Sequence, residues 1–453
     1  MSSIDAVFKS FKQVSAPLLE DLRRFLRPFA QVLPDERYRY SLTQFAPGML
    51  AARSPQVSQA AAHAPNRGTR TWHLAKRIYR LLDTPEFHHR AWLKVLYADA
   101  RRVAEKSHVE RIVIAFDPVN FEQPYAEKTE HLSTVGKSTP PGSLPKRETR
   151  LTHGYPALIA QTVNLEESAL PYARWFSYDS PDFVSENIEI QRGVRTVRTV
   201  LPQQTVCRVT DAGLDDQKFF AYCGRHNVEF VTRASHDRWV DVFNERLQRW
   251  EREKLKDVVQ TVPGCLGFEI SFTHAGKIVR AKVILDWFQI RVPDTGQVLW
   301  VVVGQSDHFE DPLVLITNRP VTSIMEAQQV YRDWMRRPTI EHFYRFIQED
   351  GLDVEEIQVQ TMERQRRTFV LVLACALFVL RCPGVWSAAT IAWLRALGTS
   401  LVGTRMDRKG PYALLLGLQS VFSTVALVSA ITNGLLNAAL MNKPPKKTAR
   451  SFG

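Results

Sequence analysis

The chain has 453 residues, enough for two to four domains with substantial cores. Lys and Arg number 59 against 47 Asp and Glu, a formal net charge of +12, which favours a polyanionic partner, nucleic acid first and an anionic membrane second. The five cysteines (Cys207, Cys223, Cys265, Cys375, Cys382) are odd in number, scattered and without a CxxC pair, which argues against a zinc cluster and for a reducing compartment.

The N-terminus, MSSIDAVFKSFKQ, lacks a long apolar run after its basic residues, so no signal peptide is expected. Residues 1–105 read as helical, with Leu and Phe at mixed three and four spacing and a Ser/Ala/Pro/Gly-rich loop near 51–72. Arg67, Arg70, Lys76, Arg77 and Arg80 cluster there, the pattern of a helical DNA-binding domain or of a solvated charged surface. From Val109 the pattern changes: Ile112 to Phe116 form an uninterrupted apolar run, expected to be a strand covered on both faces and ending on Asp117. Strands follow at HGYPALIAQTVN and ALPYARWFSY, then a helix near 183–197, a strand QTVCRV leading to Asp211, a helix near 215–226 and the strand VEFVTR. This order predicts an α/β fold, a ribonuclease-H-like catalytic core (106–235) flanked by N-terminal and C-terminal helical regions.

A charged helix over 241–259 and three strand-like runs make 236–311 a β-rich insertion. The core resumes at 312–365, with a strand at Pro312 to Thr317, a turn at Asn318 to Pro320, and a helix that Pro338 must interrupt. A second helix then starts at Pro338 and carries Glu341 in its first turn. The last region, 366–453, is apolar and helical. Phe369 to Leu380 is too short to span a bilayer, and the polar residues scattered through 410–442 suit buried packing or a dimer face, so membrane insertion is not expected.

Asp117, Asp211 and Glu341 are the candidate site: two acids on neighbouring strands and one on a helix across the same sheet edge. Hard oxygen donors of this kind hold two Mg²⁺ ions, with Mn²⁺ as a substitute, and support in-line displacement at phosphorus. A strand-ending Asp is also a common turn former or helix cap, so each acid alone carries little.

With IAFD at Asp117, TDAGLDD at Asp211, VEFVTRASHDR, and PLVLITNRP before the Glu341 helix, the chain resembles the DDE transposases of bacterial insertion sequences, the IS-four group related to the Tn-five enzyme. The resemblance covers about residues 109–365, and the spacings, 94 residues from Asp117 to Asp211 and 130 from Asp211 to Glu341, suit that group. It implies cleavage at element ends and joining to target DNA, double-stranded terminal inverted repeats and target DNA as partners, a homodimer on synapsis, and a cytoplasmic, nucleoid-associated setting. The group's signature of Tyr, Arg, Glu and Lys is matched at Arg337 and Glu341 and departs at Trp334 and Gln348, for which Tyr331 and Arg345 are the candidate substitutes. Arg337, Trp334, Tyr331, Arg345, Gln348, Arg233 and Arg238 are thereby implied to touch DNA, with Trp287 or Trp300 as a wedge. A nuclease of the same fold without strand transfer and an inactive DNA-binding regulator are the alternatives. VGKST at 135–139 lacks the first Walker glycine, and His88 with His89 have no acidic partner at ligand spacing and are expected at the surface.

Overall fold

The computed structural model describes residues 3–65, 70–138, 149–235, 237–262, 264, 266–274, 277–348, 351–402 and 410–441. It divides into one unit of Met1–Trp92 with Phe346–Gly453 and a second of Leu93–Arg345. The first helices are α1 (Ser3–Gln31), α2 (Glu36–Ala52), α3 (Val57–His63), α4 (Thr71–Asp83) and α5 (His89–Lys106). The stretch expected as a loop thus contains the short helix α3; Arg67 and Cys265 lie outside the described residues.

In the second unit one twelve-stranded mixed sheet carries the site. Its first half comprises β1 (Arg111–Glu122), β2 (Ser133–Ser138), β3 (Thr149–Thr162), β4 (Tyr172–Trp175), β5 (Thr205–Thr210) and β6 (Glu229–Arg233). The order is β2-β3-β1-β5-β6, with β4 on β3. β3 is antiparallel to β1, whereas β5 and β6 continue parallel to it, which requires crossovers. These are helices α6 (Glu186–Val200) and α7 (Gln217–Arg225), each started by a side-chain cap: Ser185 accepts from the Ile188 amide and Asp216 from those of Lys218 and Phe219. The apolar run Ile112 to Phe116 is buried throughout, with Ile112, Ile114 and Phe116 in one core cluster with Val194 and Val197 of α6 and Phe219 and Phe220 of α7. Val135 to Ser138 belong to β2, a strand and not a nucleotide loop, while Thr139 lies outside the described residues.

Gly193 lets α6 approach β1. A Cβ there would lie 2.3 Å from the Phe116 ring and 3.0 Å from that of Tyr172, so Gly193→Ala is expected to overpack the core. A loss of about 1–3 kcal/mol in urea unfolding is the expected result; an unchanged or raised midpoint would show that the interface has slack.

The second half of the sheet is β7 (Trp239–Asn244), β8 (Arg249–Lys254), β9 (Leu266–His274), β10 (Lys277–Arg291), β11 (Val298–Ser306) and β12 (Leu313–Thr317), with the short helix α8 (Leu255–Thr261) after β8. From β6 the order runs β12-β11-β10-β7-β8, so these strands extend the same sheet. The charged helix expected over 241–259 is instead the β7–β8 hairpin followed by α8. Its Glu, Arg and Lys favour a helix, but cross-strand partners decide: Arg252 and Arg291 both pair with Asp241, and Trp250 packs edge-on against Phe243. Gln248 takes a left-handed turn (φ 51°) and Asn244 accepts from the Leu247 amide, closing the hairpin. After β12 come α9 (Ile324–Trp334), opened by a Ser323–Glu326 capping box, and α10 (Pro338–Ile347).

The chain ends with α11 (Met362–Val385), α12 (Ala388–Val402) and α13 (Pro411–Met441). The apolar run at 369–380 is only the middle of α11, a 24-residue helix capped by Thr361, so the expectation that it is too short to span is corrected. By length and apolarity α11 and residues Pro411–Val428 could each cross a membrane, yet 78% of the α11 window is buried inside the protein, as in a core helix. Cys207, Cys223, Cys375 and Cys382 are buried free thiols.

Candidate active site

Strand register brings the first two acids together. The parallel β1–β5 ladder ends at the pair Ala115 and Val209, and side chains alternate faces along a strand. Asp117 and Asp211 each lie two residues further, side by side on one face. Asp117 does not end its strand as expected: β1 continues to Glu122, paired with β3, with Asp117 opposite Ile159. Asp211 does follow β5 and precedes a 3-10 turn at Ala212–Leu214, but its carboxylate makes no capping bond. The bland role of a cap is therefore left unfilled there.

Glu341 arrives from the helices. Pro338 separates α9 from α10, and Arg337 in the break lies one helical turn before Glu341. Trp334 at the end of α9 donates from Nε1 to the Thr210 carbonyl at 3.0 Å, and Tyr344 of α10 donates its hydroxyl to the Asp117 carbonyl at 2.5 Å. These two bonds latch the helix pair to the end of β5 and to mid-β1. Behind them Arg111 bridges the fully buried Asp333 of α9 and Glu229 of β6, and Gln329 donates to the other Asp333 oxygen at 2.7 Å.

The guanidinium of Arg337 gathers all three carboxylates. It lies 2.9 Å from Asp117 Oδ2 and 3.6 Å from Asp211 Oδ2, and it pairs with Glu341 Oε1. Arg337 is buried and Asp117 is 15% exposed, whereas the Asp211 and Glu341 side chains are 42% and 43% exposed, so the cluster opens to solvent on one side. Burial pushes the Asp117 carboxyl up to about 7, with Arg337 opposing the rise and the Asp211 and Glu341 charges adding to it. Burial alone would lower Arg337, but the three carboxylates outweigh it and raise it.

Three acids around one fixed cation leave a surplus of negative charge and hard oxygen donors, the donor chemistry that Mg²⁺ or Mn²⁺ selects. The residues present fit such ions. The three acids do not bring their oxygens within 4.8 Å of one another, and the Arg337 guanidinium lies among them.

The other residues implied by the resemblance are distributed differently. Tyr331 is buried, its ring edge-on to Phe268 in the space left by Gly304, and cannot stand in for a DNA-contacting tyrosine. Arg238 is committed to Asp215 at 2.7 Å and stacks on Phe220, so it too is withdrawn from the surface. Trp334 is half-buried at the site, Arg233 and Arg345 are exposed, and Gln348 donates to Glu355 at 3.3 Å. Trp287 and Trp300 are half-buried in β10 and β11. Tyr344, which sequence reasoning missed, is three residues after Glu341, and that spacing on one helix face was the available signal.

His88 is exposed as expected, whereas the surface position expected for His89 and the lack of an acidic partner expected for both are corrected. His89 is buried with Nδ1 2.6 Å from Glu363 Oε2, and His88 Nε2 is 3.5 Å from the same oxygen. The donor atoms of these three residues all lie within 4.8 Å of one another, the one such group among the described residues. Both Glu363 oxygens are already engaged, Oε2 by His89 and Oε1 by the His89 amide at 2.7 Å and Arg367 Nε at 3.0 Å, which suits a structural tie between α5 and α11. Burial would raise Glu363, but the bonds and charge of His89 and the bond from Arg367 hold it down to about 2. Its folded value is depressed, so its contribution is present above the ordinary carboxylate range and is lost as pH falls towards about 2. Burial lowers His89, which adds acid lability below its ordinary value of 6.5. Glu363→Gln is expected to flatten the fall of melting temperature between about pH 5 and 3; the same slope in both proteins would refute the tie.

No family model matches the chain, and no curated protein matches it.

Proposed function

We propose that the chain is a DDE transposase of the insertion-sequence type, with a ribonuclease-H-like core. The convergence of Asp117, Asp211 and Glu341 on one guanidinium, from two adjacent strands and a helix, is the observation that carries the reading. The strand sequence β4-β3-β1-β5-β6, antiparallel then parallel, with α6 and α7 as crossovers, supports the fold assignment. The net charge of +12 supports a DNA partner, as does α4, which follows the exposed Arg70 and carries exposed Lys76, Arg77 and Arg80 and a Trp72 that is 63% exposed.

Asp117, Asp211 and Glu341 would hold two Mg²⁺ ions. Bound there, the ions supply activation of a water or 3′-hydroxyl and charge neutralisation at the leaving oxygen. The protein's own part is placement. Trp334 and Tyr344 fix the helix bearing Glu341 against the strands bearing the two aspartates, and Arg337 would offer its guanidinium to a nearby phosphate oxygen. Two copies acting on paired ends, in a cytoplasmic setting, complete the proposal.

The test is a labelled oligonucleotide carrying candidate terminal repeats, incubated with Mg²⁺ or Mn²⁺ and target DNA. Joined products are expected. Cleavage without joining would replace transposase by nuclease, and binding without any nicking would leave only a DNA-binding protein.

A further inference from the structure

At the edge of the sheet away from the carboxylates, a cavity of about 380 Å³ opens between the end of α6, the starts of β5 and β6, and the turn after β12. β5 runs from its mouth at Thr205 to Thr210 just before Asp211, so the two places are roughly 20 Å apart at about 3.3 Å per residue. Three guanidinium groups line the cavity, from Arg198, Arg208 and Arg319. Arg208 is 2% exposed and folds back along its strand, Nη1 donating to the Val206 carbonyl at 3.3 Å. Its Nε, and Nη1 of Arg319, are buried without a hydrogen-bond partner among the described residues. Neither arginine has an ion pair there. Glu229, the one carboxylate among the lining residues, is paired with Arg111. Asn318 is spent as well, accepting from the Phe230 amide and donating to the Val228 carbonyl.

A buried guanidinium with free donors and no counter-charge is costly unless an anion completes it. Burial pushes Arg208 down to about 10, with the Arg198 charge adding to the fall and Glu229 opposing it. Planar guanidinium forks match the oxygens of a tetrahedral oxyanion, and several together favour one with more than a single charge. The cavity is also within the size range of ligand pockets. We infer that it is a phosphate-binding site, with Arg208 as its floor and Arg198 and Arg319 as its walls.

The site is tested by calorimetric titration of the full chain with inorganic phosphate against chloride at equal ionic strength. Saturable binding is expected, weakened about tenfold or more by Arg319→Gln and by Arg198→Ala. The exposed Arg198 makes the second variant safe for folding, which circular dichroism checks. Asp211→Asn is expected to bind phosphate as the parent does, which separates this site from the carboxylate cluster. A short DNA duplex forms the second arm. An equal loss of duplex affinity in the two arginine variants would place a DNA backbone phosphate in the cavity, and unchanged duplex affinity a free phosphate or small phosphorylated ligand; either upholds the site. No saturable phosphate binding by the parent, or equal binding by all variants, would overturn it.

Discussion

Asp211→Asn and Glu341→Gln are each expected to reduce Mg²⁺-dependent DNA cleavage by at least about 10²-fold while leaving duplex binding and thermal stability nearly unchanged. Both side chains are more than two-fifths exposed, and their pairing with Arg337 is screened by solvent on that side, so little folding energy is at stake. Neither carboxylate holds the fold together in a second way, since Asp211 caps nothing and Glu341 meets Arg337 at the open face. Asp117→Asn should be equally inactive. It sits half-buried against Arg337, so a stability loss in that variant alone would not bear on the site. Cleavage at parental rates in either the Asp211 or the Glu341 variant would remove that residue from the assignment.

The largest stability effect is expected from Arg111→Met. Among the described residues Arg111 is the one cation paired with both Asp333, which is fully buried, and Glu229, so its removal leaves a desolvated carboxylate with the Gln329 amide as its remaining side-chain donor there. Removing one partner of a buried pair costs roughly 3–5 kcal/mol, far more than the pair contributes relative to apolar replacements. Because Asp333 immediately precedes Trp334, whose indole latches α9 to β5, the same change should loosen Arg337 and Glu341 and lower any metal-dependent activity. The double variant Arg111→Met, Asp333→Leu should recover a large part of the stability. If it is no more stable than Arg111→Met alone, an uncompensated charge is not the cause.

The placement of the candidate residues was legible where local rules coincide with the tertiary answer. An apolar run with no polar interruption marked β1 as a strand buried on both faces, and Pro338 marked the break that presents Arg337 and Glu341 on successive turns. Adjacent parallel strands then placed Asp117 beside Asp211, because both stand two residues beyond the last paired position. What failed depends on partners distant in the chain. The β7–β8 hairpin has helix-forming composition and is held by Asp241 pairing with Arg252 and Arg291. Glu363 lies 274 residues from His89, so no spacing rule could pair them. Tyr331 was expected at DNA, but Gly304 on the facing strand leaves room for its ring in the interior. Arg238 was expected there too and is taken up by Asp215.

The most direct measurement is Mn²⁺ binding to the full-length protein, followed by electron paramagnetic resonance, for the parent and for Asp117→Asn, Asp211→Asn and Glu341→Gln. The parent is expected to bind two ions at a site that Mg²⁺ competes for, and each variant to lose at least one. Unaltered Mn²⁺ binding in all three variants, or none in the parent, would contradict a divalent-ion site at these carboxylates.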